Sequence, residues 1–167
     1  MKISDVTNPK QVILVSSRAD IKDSFSTEAK SKDNIFTLGW HMQVSHVPPL
    51  YAISAGKERY STRLIQESKV FVVNFMDMKF KDEVLYCGTN RGEHIDKFKE
   101  TGLEKEEAEK IECPRIKQAS GYLECKVINE IDAGDHIIFI GEVLKMDVKK
   151  QGKRIFQKGG NVFITTK

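Results

Sequence analysis

Cysteine is scarce in this sequence and poorly placed for cross-linking. Cys87, Cys113 and Cys125 are odd in number, widely spaced and without a CxxC pair, so neither a disulfide framework nor a zinc site is indicated. Each reads as a small buried hydrophobe. His41, His46 and His94 fall at no metal-ligand spacing, and no metal site is expected. No stretch approaches the roughly 18 apolar residues of a membrane span, and MKISDVTNPK lacks the apolar core of a signal peptide. These absences predict a cytoplasmic protein with no membrane partner. The net charge is only +3 and no basic tract occurs, which argues against nucleic acid as a partner. GxGxxG and GxxxxGK[ST] are both missing, so a nucleotide would not be held by a Rossmann or P-loop turn. Without repeats, low-complexity tracts or linkers, the 167 residues predict a single domain spanning 1–167.

What is present centres on residues 34–63, NIFTLGWHMQVSHVPPLYAISAGKERYSTR. Phe36, Leu38, Trp40, Met42 and Val44 alternate with polar or small residues, the period-2 pattern of a half-buried strand. By that alternation Trp40 reads as a core residue. Pro48 and Pro49 interrupt pairing, and a second apolar run, 50–55, ends at Gly56. KERYSTR follows and predicts a helix over 62–68, with Leu64 and Ile65 inward. A helix N-terminus ringed by Lys57, Arg59, Ser61, Thr62 and Arg63 suits a phosphate, because free N–H groups and positive charge converge there. The alternative for the same residues is a solvated helix start with Ser61 as N-cap.

Elsewhere, QVILVSS at 11–17 reads as a strand and the polar stretch 19–33 as a loop. The strand over 69–76 contains Asn74, which must bind backbone or face a ligand. Helical spacing recurs over 79–87 and 94–101, with Gly102 placed as a C-cap. LEKEEAEKIE reads as a charged loop or helix face. Strands over 121–131 and 136–148 form a hairpin, and two short strands, 154–157 and 162–166, close the chain. Six to eight strands with two or three short inserted helices predict a mainly β (α+β) fold, a closed antiparallel barrel rather than a βαβ sheet.

TLGWHMQVSHVPPLYAISAGKERYST resembles the T-x-S-W-x-x-x-V-S-x-x-P-P-L segment and following G-K-x-R-Y-[ST] of the flavin reductase-like proteins. FVVN, HIDKF, LECKVINEIDAGDH and FIGEV resemble the same family in the same order. The HIDKF variant is most similar to the flavoredoxin and FMN-dependent ferric reductase branch. The resemblance implies an FMN-binding split barrel, Greek-key-like, holding FMN noncovalently and taking electrons from NAD(P)H. The acceptor would be free flavin, ferric iron or a redox partner protein. The alternatives are an FMN electron carrier with no productive nicotinamide site, and a split-barrel binder of F420 or haem.

Residue by residue, the resemblance places Asn34, Thr37, Leu38, Gly39, Trp40 and Ser54 along the isoalloxazine ring, with Asn74 also at the flavin. Ser61 would meet the phosphate with Arg59 and Lys57 as charge partners. Lys97 would reach the phosphate or the ring edge, although its spacing equally suits a surface lysine. His136 would lie beside the flavin near the nicotinamide or acceptor, as the candidate catalytic residue, and Phe156 would cover the flavin. Gly39 stands where the family has serine, which removes one possible hydrogen bond to the ring. A homodimer with flavin sites near the subunit interface is implied as well.

Overall fold

The computed structural model describes residues 1–22 and 28–166. Along the chain come α1 (Ile3–Thr7), β1 (Lys10–Gln11), β2 (Ile13–Lys22), β3 (Ala29–Leu38), β4 (His41–Ser45) and β5 (Leu50–Gly56). Next are α2 (Tyr60–Ser68), β6 (Val70–Phe75), a 3-10 turn at Met78–Phe80, α3 (Lys81–Thr89) and α4 (Lys97–Thr101). The chain ends with β7 (Lys105–Glu107), β8 (Pro114–Ile116), β9 (Gly121–Ala133), β10 (His136–Val148), β11 (Phe156–Gly159) and β12 (Val162–Ile164). One antiparallel ladder runs β3-β2-β6-β9-β10-β5-β4, flanked by β1-β11-β12 and by β7-β8. The mainly β class expected from the sequence is what forms. No ladder pairs β3 with β4 among the described residues, so hydrogen-bonded closure of the barrel is not seen.

Alternation sorts each strand between two cores. Ile13 and Val15 of β2 join Ile53, Ala55, Phe71, Val73, Cys125 and Phe139 on the inner face of the sheet, with Ile65 of α2 packed among them. Val12 and Leu14 point the other way and meet Val84 and Cys87 of α3, Phe98 of α4 and Ile116 of β8. Strand β2 is therefore covered on both faces, which explains its unbroken apolar run. Burying each such Val, Ile, Leu or Phe is worth about 1.5–3 kcal/mol. Gly141 is required by this packing: a Cβ there would lie 2.8 Å from both Cys125 Cβ and Phe71 Cζ.

Four local expectations are corrected. Much of 19–33 is strand, not loop: β2 continues to Lys22 and β3 starts at Ala29, while 23–27 lie outside the described residues. Ala19 and Ile21 are buried between exposed Asp20 and Lys22, a short alternation that the charges obscured. The strand expected across Gly39 and Trp40 is divided into β3 and β4, and its outer half does not face the core. Trp40, Met42 and Val44 are all exposed, Trp40 by 51%. Helix α4 starts only at Lys97, because Asp96 caps it by accepting from Phe98 N and Lys99 N at 3.1 and 3.2 Å. Gly102, at φ 69°, does end it.

LEKEEAEKIE is folded into the β7–β8 hairpin rather than left as a solvated loop. Arg18 binds Asp33 and Glu107 at 2.6 and 2.8 Å, and Lys105 binds Asp33 at 2.9 Å. Beneath the hairpin Glu124 is fully buried, accepting from Glu109 N, Lys110 N and Arg115 Nη1. Those donors are what make a buried carboxylate tolerable.

Candidate functional site: a cleft with a buried cationic floor

A cleft of about 250 Å³ opens where β3, β5, α2, α3, α4 and β10 meet. Its walls come from Phe36, Thr37, Leu38, Gly39 and Trp40 on one side and Ser54, Ala55 and Gly56 on another. The β5–α2 turn adds Glu58, Arg59, Tyr60 and Ser61. The segment 87–93 adds Cys87, Gly88, Asn90, Arg91, Gly92 and Glu93, and Lys97 and His136 complete it.

Lys97 is 4% exposed, and its Nζ donates to Cys87 O at 2.7 Å. Among the described residues no carboxylate pairs with it. Burial holds its pKa below that of an ordinary lysine, and the Arg59 guanidinium adds to this. Burial also pushes the Cys87 thiol up to about 12, so Cys87 stays protonated in the cleft. Ser61 is 5% exposed, and its Oγ accepts from Asn34 Nδ2 at 2.7 Å. It is the second residue of α2, whose N-cap is Arg59 with no side-chain cap; the Ser61 N-cap alternative is thereby corrected. Thr62 Oγ1 donates to Gly56 O at 2.7 Å and fastens the turn to β5. The floor thus collects a buried ammonium, a buried hydroxyl and a helix start whose N-cap side chain makes no capping bond, with Arg59 also lining the cleft.

The mouth is different in kind. The ring centroids of Trp40 and His136 lie 4.5 Å apart at 32°, and Lys10 Nζ is 5.7 Å from the Trp40 ring. His136 opens β10, and its Nδ1 lies 2.7 Å from Asp135 Oδ1. The hydrogen bond with His136 holds the Asp135 carboxyl below the usual carboxylate range. Trp40 is set by its neighbours: its carbonyl accepts from Ser54 N at 2.9 Å. His41 lies 2.6 Å from the Tyr51 hydroxyl and 3.0 Å from Gln11 O. Burial lowers the His41 pKa and raises that of Tyr51 to about 12. The Tyr51 hydroxyl therefore donates to neutral His41, which donates onward to Gln11 O.

The chain matches the flavin reductase like domain across residues 7–162. It belongs to that family. A relative from Archaeoglobus fulgidus, an uncharacterized protein, is 34% identical over 125 residues, covering 73% of this chain and 71% of that protein. A ferric-chelate reductase (NAD(P)H) of the same organism is 27% identical over 113 residues, 66% of this chain and 65% of that one. Among solved structures, the flavoredoxin from Methanosarcina acetivorans aligns with a TM-score of 0.81 at 24% identity, over 100% of this chain and 91% of that one.

Within this family fold, nine of the residues singled out from the sequence line the cleft: Thr37, Leu38, Gly39, Trp40, Ser54, Arg59, Ser61, Lys97 and His136. Four do not. Asn74 is fully buried and committed to the core, donating to Leu14 O and Ser16 Oγ and accepting from Ile116 N. Lys57 turns away to an ion pair with Asp132 at 2.7 Å. Phe156 lies in β11, paired with Gln11 and Ile164 outside the cleft. Asn34 stands behind Ser61 rather than on the wall where the ring was expected.

The segment 88–93, GTNRGE, has neither helical nor strand period, so the sequence pattern does not mark it as part of a site. Its two glycines were the available signal. A Cβ at Gly92 would lie 1.9 Å from Asn34 Oδ1, and one at Gly88 would lie 3.1 Å from Thr37 Cβ. Both mark a close approach of this segment to β3.

Proposed function

We propose that this protein holds FMN noncovalently in the cleft and passes electrons from NAD(P)H to an acceptor, which is free flavin, ferric iron or a redox protein. The observation that carries the reading is the cleft floor. A lysine buried without a carboxylate is costly unless an anion joins it, and Lys97 lines the same cleft as Ser61 and the start of α2, where a phosphate is best satisfied. Leu38, Gly39, Trp40 and Ser54 would hold the ring, and Arg59 would close over the phosphate. Bound flavin supplies the two-electron and one-electron chemistry, and the residues supply binding and exposure of one ring face. The nicotinamide donor is supported by the relative named as a ferric-chelate reductase (NAD(P)H).

The test is titration of the protein with FMN and with riboflavin, followed by flavin fluorescence. FMN should bind at least tenfold tighter, as expected for charge-assisted bonds to a phosphate. Equal affinities would remove the phosphate assignment. The loaded protein is then mixed anaerobically with NADH and NADPH. Bleaching at the flavin band supports the reductase, and no bleaching by either moves the reading to an electron carrier fed by a protein donor.

A homodimer fits the outer face beside the cleft. Trp40, Met42, Val44, Ile131, Ile138 and Ile140 line a broad groove of about 1130 Å³ on β4, β5, β9 and β10. Contiguous apolar surface of that kind is uncommon on a monomer. Sedimentation should give a dimer, and Met42→Glu should shift it to monomer; a wild-type monomer at micromolar concentration would remove the assignment.

A further inference from the structure

Asn34 belongs to the structure of the site without lining it. It is 2% exposed on β3, and its Nδ2 donates to Ser61 Oγ at 2.7 Å from behind the cleft wall. A serine hydroxyl has one proton to give and lone pairs to accept with. With its oxygen held by the Asn34 amide, the Ser61 proton needs an acceptor, and among the described residues no protein group accepts it. On the other side of Asn34 sits Gly92, where any Cβ would come 1.9 Å from Asn34 Oδ1. The amide therefore lies between the 88–93 segment, packed against it, and Ser61, bonded to it.

We propose that Asn34 is a positioning residue for anion capture: its amide pins the Ser61 oxygen from behind and commits the Ser61 hydroxyl proton to a phosphate in the cleft. This rests on the phosphate reading above. Gly92 is then the residue that lets the 88–93 segment lie close enough to fix the amide's orientation. Pre-ordering a donor before the ligand arrives reduces the entropy lost on binding. Removing Asn34 leaves Ser61 in place but free to turn its proton elsewhere. The loss should therefore be smaller than that of removing Ser61 itself, and it should act through Ser61.

The experiment measures Kd for FMN and for riboflavin in the full-length protein, wild type and variants. The readout is the ratio of the two affinities, because loss of fold weakens both ligands alike. Ser61→Ala should lower FMN preference about tenfold or more, the worth of a bond to a charged group. Asn34→Ala should lower it about threefold to tenfold, as for one neutral bond, and should have no effect in the Ser61→Ala background. Asn34→Asp preserves the shape if Asn34→Ala folds poorly. Its carboxylate takes the Ser61 proton back, so preference for FMN should fall at least as far as in Ser61→Ala.

If the wild type binds FMN and riboflavin alike, the phosphate reading fails and the proposal with it. If the wild type prefers FMN and Ser61→Ala leaves the ratio unchanged, Ser61 gives no proton to the phosphate and the proposal alone fails. If Ser61→Ala lowers the ratio while Asn34→Ala does not, or lowers it equally in both backgrounds, the proposal alone is overturned. Wild-type preference retained in Asn34→Asp shows that the amide is not the donor and overturns it too.

Discussion

Lys97 and Ser61 at the floor of the cleft, and Asn34 behind it, are almost wholly out of water, whereas at the mouth Trp40 is half exposed with its ring tilted against that of His136. The three buried residues come from α4, α2 and β3, separated along the chain and brought together by packing. The mouth pairs the β3–β4 connection with the first residue of β10, joined across β5. Low dielectric makes each polar group at the floor expensive to leave unmatched and strong when matched. At the mouth, water screens charge and side chains remain free to be displaced. One end is suited to holding a ligand's anion, the other to admitting a second molecule.

The sharpest way to break this contrast is Lys97→Met. It should weaken FMN binding by about a hundredfold, as for loss of a charge-assisted bond in a buried site, and leave riboflavin binding within about threefold. If both ligands lose affinity alike in fluorescence titration, Lys97 is a structural residue only. Next comes His136→Ala, which should slow reduction of the loaded protein by NAD(P)H about tenfold, the value of one lost positioning contact. FMN affinity should barely move. Stopped-flow bleaching at an unaltered rate would remove His136 from electron delivery.

Arg59→Ala should cost about threefold to tenfold in FMN affinity, less than Lys97, because its guanidinium is exposed and screened. A loss larger than that of Lys97→Met would reverse the assignment of floor and rim.

The pH dependence follows from Lys97. Its folded pKa is lowered by burial, so the empty protein binds fewer protons than the unfolded chain between that value and the ordinary lysine value. Stability of the empty protein therefore rises with pH across this window, and Lys97→Met should remove that part of the rise. FMN affinity should move oppositely, falling as pH increases and Lys97 loses its proton. Calorimetric melts and FMN titrations at a series of alkaline pH values check both signs. Smallest of all, Trp40→Ala should change stability by less than about 1 kcal/mol, as at an exposed site. The buried aromatic Phe139→Ala should cost about 3–5 kcal/mol. Comparable losses in urea unfolding would mean that Trp40 is held by packing after all.

Much of the cleft was legible because its wall residues are close in sequence. Thr37 to Trp40, Ser54, Arg59 and Ser61 fall within 25 residues, joined by a short hairpin and a tight turn, so naming the stretch almost names the wall. Lys97 and His136 were reached through likeness to the family, since a lysine beside Phe98 or a histidine after a turn has no spacing signal of its own. Asn74 was misassigned for an instructive reason. A polar residue in an apolar strand needs a partner, but sequence does not say whether that partner is a ligand or, as here, the carbonyl of Leu14, the hydroxyl of Ser16 and the amide of Ile116. Lys57 and Arg59 lie two apart on one turn, and only cross-strand geometry sends one to Asp132 and leaves the other at the cleft.

By itself the sequence determined the β-rich class, the positions of most strands, the α2 helix and the family. Those depend on period-2 alternation, turn residues and local motif order, which act over a few residues at a time. The tertiary structure alone decided which face of β4 is inside, and so turned Trp40 from an expected core residue into an exposed one. It also decided that Lys97 is buried with no carboxylate partner among the described residues, that Asn34 reaches Ser61 from behind, and that Gly92 lies against Asn34. Burial and partner choice are properties of which distant segments meet, and a chain's local pattern carries only half of each meeting.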